Sequence, residues 1–192
     1  MLNEKRTAAA LKDAFREGGY KVMFEGGFVS VTAGHWAFRV RTELLPREAL
    51  GRIVEHIGVI PGENEAYFCQ KGLIGQMTSL DETLAIWDRL KLLAEKAKTP
   101  VKRTRIYVYG FSAWQEKKNL RIVLIDPAYL QIIDPDFLNQ GCCIADDPET
   151  LDHIFFHGWD DELAVICVAK RDERDGGIDR LDGFPWGGEA PE

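Results

Sequence analysis

The chain predicts an α+β fold: one compact domain in which antiparallel sheet, built from meanders and hairpins, is covered by about four helices. Three observations carry that reading. Short alternating runs are separated by glycine-containing turns, as in hairpins. Amphipathic segments with recognisable caps interrupt those runs. The connections are short throughout, as in a compact domain. The domain is expected over about residues 1–170, followed by a flexible acidic tail over 171–192.

The first helix is expected over Asn3 to Gly18. Asn3 serves as N-cap, Leu11, Ala14 and Phe15 form the apolar stripe, and Gly18-Gly19 ends it. Three strands follow at Tyr20–Phe24, Phe28–Ala33 and His35–Arg41, the first two joined by Glu25-Gly26-Gly27. Pro46 opens a second helix, Leu50, Ile53, Val54 and Ile57 mark its buried face, and Gly58 stops it. A hairpin of Ala66–Gln70 and Leu73–Met77 turns at Lys71-Gly72. Ser79-Leu80-Asp81-Glu82 then matches a capping box, and Leu80, Leu84, Trp87, Leu90, Leu93, Ala94 and Ala97 keep helical spacing.

Lys102 to Asp126 reads as a further hairpin. Arg103, Arg105, Tyr107, Tyr109 and Phe111 alternate onto one face, with Thr104, Ile106, Val108 and Gly110 on the other. Leu120 to Ile125 is the expected partner strand, and Gly110 to Asn119 the turn. Between two Asp-Pro breaks, Ala128–Ile133 is read as a strand. A last helix starts at Asp147-Pro148 and stops at Gly158. Leu163–Ala169, apolar on both faces, is placed centrally in the sheet.

Composition bounds the function classes. With 192 residues, 45% hydrophobic and 29% charged, the chain is long enough for a sizeable core. No apolar run approaches a membrane span, and no secretory signal is visible, so a cytoplasmic location and no membrane partner are expected. Cys69, Cys142, Cys143 and Cys167 form no C-x-x-C pair and are read as reduced thiols, with Cys69 and Cys167 in the core. The net charge of −7 is unevenly spread: residues 141–192 hold 4 of the 24 basic and 14 of the 31 acidic residues, a local −10, which leaves +3 for residues 1–140. Such asymmetry points to a charged partner, in cis or in trans.

Several constellations bear on chemistry. Arginines beside tyrosines and a phenylalanine suit a single-stranded nucleic-acid platform, because bases stack on the rings while cations track phosphates. Ile106 to Phe111 resembles the shorter strand motif of RNA-recognition domains. The longer companion motif and the helix expected after that strand are absent, so the family is not carried over. The plainer reading is an aromatic strand face covered by a helix, with the arginines at its wet end. Net acidity weighs against nucleic acid, whose binding rests on phosphate neutralisation.

His153 and His157 at i, i+4 on the expected last helix suggest a metal site, but no glutamate follows His153 to complete H-E-x-x-H. The same region allows a thiol hydrolase, with Cys142 or Cys143 as nucleophile, His153 or His157 as base, and Asp160 or Asp161 as orienter. No phosphate loop, dinucleotide fingerprint or nucleophile elbow occurs. No cofactor and no metal are expected, and an enzyme is not favoured.

The acidic tail can mimic a polyanion toward a partner. It can also fold back on Lys102, Arg103, Arg105, Lys117, Lys118 and Arg121, anchored by Phe184-Pro185-Trp186. The expectation is a non-enzymatic module binding a protein partner through Arg103, Arg105, Tyr107, Tyr109, Phe111, Phe184 and Trp186. The hydrolase and single-stranded nucleic-acid binding stand as alternatives.

Overall fold

The computed structural model describes residues 1–144, 153–158, 161–169 and 182. The elements run α1 (Glu4–Glu17), β1 (Tyr20–Glu25), β2 (Phe28–Ala33), β3 (Trp36–Arg41), α2 (Arg47–Ile57), β4 (Glu65–Gln70), β5 (Leu73–Met77) and α3 (Leu80–Lys96). There follow β6 (Thr99–Val108), β7 (Phe111–Glu116), β8 (Ile122–Ile125), α4 (Pro127–Leu130), β9 (Gly141–Cys143), β10 (His153–His157) and β11 (Leu163–Cys167). Short 3-10 turns occupy Thr42–Leu44 and Pro135–Gln140. The eleven strands form one antiparallel sheet in the order β5-β4-β1-β2-β3-β11-β10-β9-β6-β7-β8. The α+β class with antiparallel sheet therefore holds. The sheet is much larger than expected, and among the described residues only α1, α2 and α3 are α-helices of more than four residues.

Local chemistry explains the helices. Asn3 accepts from Arg6 N and caps α1. Gly58 closes α2 with φ 82°, a left-handed stop. Ser79 Oγ accepts from Glu82 N at 3.3 Å, which is one half of the expected capping box. The Glu82 carboxylate lies 4.0 Å from Lys21 Nζ.

Two apolar layers bury the sheet. On one face Leu11, Tyr20, Val31, Phe38, Ile53 and Cys69 pack under α1 and α2. On the other, Met23, Ala37, Ala66, Phe155 and Val165 pack around Trp87 and Ala94 of α3. Full burial of Trp87 contributes about 1.5–3 kcal/mol by its removal from water. Past β3 the sheet curls. Ala169, just beyond β11, donates its N–H to Leu124 O of the edge strand β8 at 2.8 Å. Strands β11, β10, β9, β6, β7 and β8 thus form a partly closed ring, and Trp114 meets Phe156 edge-on across it at 6.3 Å.

Three expectations are corrected. First, Lys102 to Asp126 is a three-stranded meander. The chain reverses at Tyr109-Gly110, where φ is 50° and 86°, and β7 occupies the stretch read as a turn. Second, Ala128–Ile133 is not a strand. Asp126 and Asp134 cap α4 and the following 3-10 turn, accepting from Ala128 N and Asp136 N, with proline at the next position of each. Only Ile133 is bridged, to Leu2. Third, His153–His157 is a strand, paired on one side with β11 and on the other with β9. The helix start expected at Asp147-Pro148 lies outside the described residues. The run Ile154, Phe155 and Phe156 is buried on both faces of the sheet, and tertiary pairing decides its form.

Candidate functional site: an exposed arginine–tyrosine strand face

Strand β6 carries the exposed face. Arg103, Arg105, Tyr107 and Tyr109 are all exposed, Tyr107 at 55% and Tyr109 at 80%. Arg103 Nη2 donates to the Tyr107 hydroxyl at 2.6 Å and holds the ring beside the guanidinium. A bulge lies between Arg103 and Tyr107, with three β6 residues opposing Ala113 of β7. Thr104 fills it: its hydroxyl donates to Ala113 O at 2.7 Å and accepts from Ile106 N at 3.1 Å. This buried hydroxyl satisfies the backbone that the bulge would otherwise leave unpaired.

Phe111 does not join that face. Because the chain turns at Tyr109-Gly110, Phe111 pairs with Val108 and shares its side of the sheet. There it packs with Ile106, Ala113, Ile122, Leu124 and Ala169. Phe184 and Trp186 lie outside the described residues. Asp182 is described: its carboxylate accepts from Ile122 N at 2.7 Å, on the β8 edge of the same meander.

Beside Arg103 opens a groove of about 300 Å3 whose rim carries Arg6 and Arg103 and whose walls include Pro127, Leu130, Ile133 and Leu138. Two guanidiniums over an apolar floor suit a carboxylate-bearing segment with an apolar side chain.

Among the described residues, His153 and His157 do not form a joint metal site. His153 and His157 stand at opposite ends of β10, and i, i+4 along a strand spans about 13 Å, too far for one ion. Among the described residues no three His, Cys, Asp or Glu side chains are grouped to hold a metal. Cys143 is buried, and its thiol is pushed up to about 12 by burial and by the nearby Glu116. Burial raises Cys142 as well. Both thiols are thereby held protonated, which disfavours a nucleophile there. His157 is lowered by burial and by Lys98. Asp160 lies outside the described residues, and Asp161 is exposed with φ 67°.

A second cleft, of about 470 Å3, gathers His35, Phe111, Asp126, Tyr129, His153 and Cys167. Its members come from the β2–β3 turn, β7, α4, β10 and β11, so no local sequence pattern could announce it. His35 stacks on Tyr129 at 5.4 Å between ring centroids. Burial raises the Tyr129 phenol, with smaller contributions from Asp126, Glu17 and Cys167. No family model, curated protein or solved structure matches this chain.

Proposed function

We propose that the chain is a non-enzymatic interaction module, acting in the cytoplasm, that binds an acidic, apolar-bearing segment of a protein partner on β6 and the β6–β7 turn. The observation that carries this reading is Tyr109. A bulky aromatic at φ 50° is disfavoured, since such two-residue turns prefer Asn or Gly at that position. The ring is 80% exposed and gains no core contact in return. Strain at an exposed aromatic, next to Tyr107 and two arginines, is what an interface anchor looks like before its partner arrives. The acidic segment beyond residue 170 is an internal competitor for the same basic surface; Asp182, whose carboxylate accepts from Ile122 N of β8, brings one of its acidic residues to the far edge of the same meander.

The test is quantitative affinity capture and cross-linking from native lysate with the full chain and with Tyr107→Ala/Tyr109→Ala. A specific, stoichiometric protein bound by the first and lost by the second supports the reading. Identical capture profiles would sink it. Fluorescence anisotropy with labelled single-stranded RNA and DNA decides the nucleic-acid alternative. Tight binding there that weakens with salt, and is lost in the same variant, would replace the protein partner.

A further inference from the structure

We propose that Cys167 is a reactive thiol, flanked by two imidazoles, that undergoes thiol–disulfide exchange with small cationic disulfides in the 470 Å3 cleft. This site is separate from the β6 face and does not rest on the protein-binding reading.

The register builds the arrangement. His153 of β10 is the cross-strand partner of Cys167, and directly opposed residues share a face with Cβ atoms about 4.5–5.5 Å apart. On the other flank, Cys167 donates its N–H to His35 O at 2.9 Å, which extends the β3–β11 ladder by one residue. One thiol therefore sits between two histidine positions on adjacent strands, and all three line the cleft. Cys167 is half-buried, and no disulfide joins any of the four cysteines. An imidazole beside a thiol accepts its proton and then stabilises the thiolate as imidazolium, which is how protein thiols become nucleophiles near neutral pH.

The lining sets the substrate class. Phe111, Tyr129, Val168 and Ala169 give apolar walls for a small organic group. Asp126 adds a carboxylate. An adjoining lobe of about 410 Å3, sharing His35, Asp126 and Tyr129, adds Asp13 and Glu17. Among the described residues, neither lobe is lined by a lysine or arginine. An ammonium-bearing disulfide is drawn in, and an anionic one is repelled.

The step balances without any further reagent. The Cys167 S–H proton passes to an adjacent imidazole, and the thiolate attacks one sulfur of R–S–S–R. The S–S bond breaks as the Cys167–S–S–R bond forms. The departing thiolate takes the proton back from the imidazolium and leaves as R–SH. Cys167 is oxidised, the disulfide is reduced, and excess thiol reverses the exchange.

The experiment treats the full native chain with cystamine or with glutathione disulfide, quenches with acid, and maps each cysteine by peptide mass. Cys167 is expected to react at least about tenfold faster than the half-buried Cys142, as thiolate fraction dictates. Cystamine is expected to outpace glutathione disulfide at Cys167 but not at thiols exposed by urea. The buried Cys69 and Cys143 report folding, because they react only if the chain opens. Among the described residues, the groups facing Cys167 are His35, His153, Asp126 and Tyr129, with Asp13 and Glu17 in the adjoining lobe. The pH midpoint of its reaction should lie below the ordinary thiol value of about 8.5 and rise in His153→Gln and His35→Gln. Cys142 reacting as fast as Cys167, or midpoints unmoved in both folded histidine variants, would overturn the reactive-thiol assignment. Equal rates for the two disulfides would overturn the charge assignment.

Discussion

Arg121 Nη2 lies 3.0 Å from the carboxylate of Glu116, a side chain with no exposed surface at the end of β7. Glu116 N also donates to Arg121 O, so the pair closes the β7–β8 turn through both backbone and side chains. Asn119 Nδ2 adds a 3.4 Å contact to the same carboxylate. Arg121→Met removes the cation and leaves a buried carboxylate behind. The expected cost is about 3 kcal/mol, the lower end for breaking a buried pair, because Arg121 keeps part of its side chain in solvent. Urea unfolding should show the loss as a lower midpoint at unchanged slope. The double variant Glu116→Gln/Arg121→Met should recover much of it, since it removes the charge that needed a partner.

That pair also shows where the sequence was hard to read. Ser112, Gln115 and Glu116 are polar residues in a buried strand, so Phe111–Glu116 looked like part of a turn. Each polar group that is satisfied finds its partner nearby in space: Gln115 Nε2 donates to Leu120 O, and Glu116 meets Arg121. Reading Phe111–Glu116 as a turn also puts Phe111 on the wrong face, because the reversal at Tyr109-Gly110 swaps sides. The segments with local punctuation were legible: α1 by Asn3, α2 by Gly58 and α3 by Ser79. His153–His157 was not, because its strand form depends on pairing with β9 and β11 and not on any local cap or turn. Alternation in β6 places the arginines and tyrosines on one face, but their exposure depends on what packs over that face, which alternation does not show. The cleft around Cys167 was not legible, because five separate segments supply it.

Acid sensitivity follows from the buried His56 and from His157, which stands at the exposed end of β10. His56 Nδ1 and the Tyr20 hydroxyl share a hydrogen bond of 2.9 Å, and Phe15 stacks on the imidazole at 3.9 Å. Burial lowers His56, and burial with Lys98 lowers His157. Burial likewise holds the Tyr20 phenol protonated. The unfolded chain therefore binds protons at these sites before the folded chain does. Their contribution to stability is complete above the ordinary histidine value of about 6.5 and declines as pH falls toward the lowered folded values. Unfolding free energy measured from pH 7 to pH 5 should fall. His56→Gln and His157→Gln should each flatten part of that slope. An unchanged slope in both variants would contradict the assignment.

Gly75 holds the edge strand β5 against α2. Its φ is 65°, and a Cβ there would run into the Ile57 carbonyl oxygen at the end of α2. Gly26 has a similar φ of 60° with open space around it. Gly26→Ala should therefore cost about 1 kcal/mol, from backbone conformation alone. Gly75→Ala should cost clearly more, because either β5 or the α2 terminus must shift. Comparing the two thermal midpoints isolates the packing contribution. Equal losses would mean that α2 and β5 can separate without penalty.

Tyr109 offers the sharpest contrast between stability and use. It occupies the first position of the two-residue turn Tyr109-Gly110, both residues having positive φ, and Asn followed by Gly is the favoured pairing for such a turn. Its ring is mostly in solvent, so replacing it removes little buried surface. Tyr109→Asn should raise unfolding free energy by about 0.5–1 kcal/mol through relief of backbone strain. Tyr107→Phe, which removes only the hydroxyl that accepts from Arg103, should change stability by less than about 0.5 kcal/mol. If the β6 face is the interaction surface, Tyr109→Asn gains stability and loses partner capture in the same protein. A gain with capture intact would leave the tyrosine without a role. A loss of stability would mean that the ring supports the fold, and the argument from strain to function would fail.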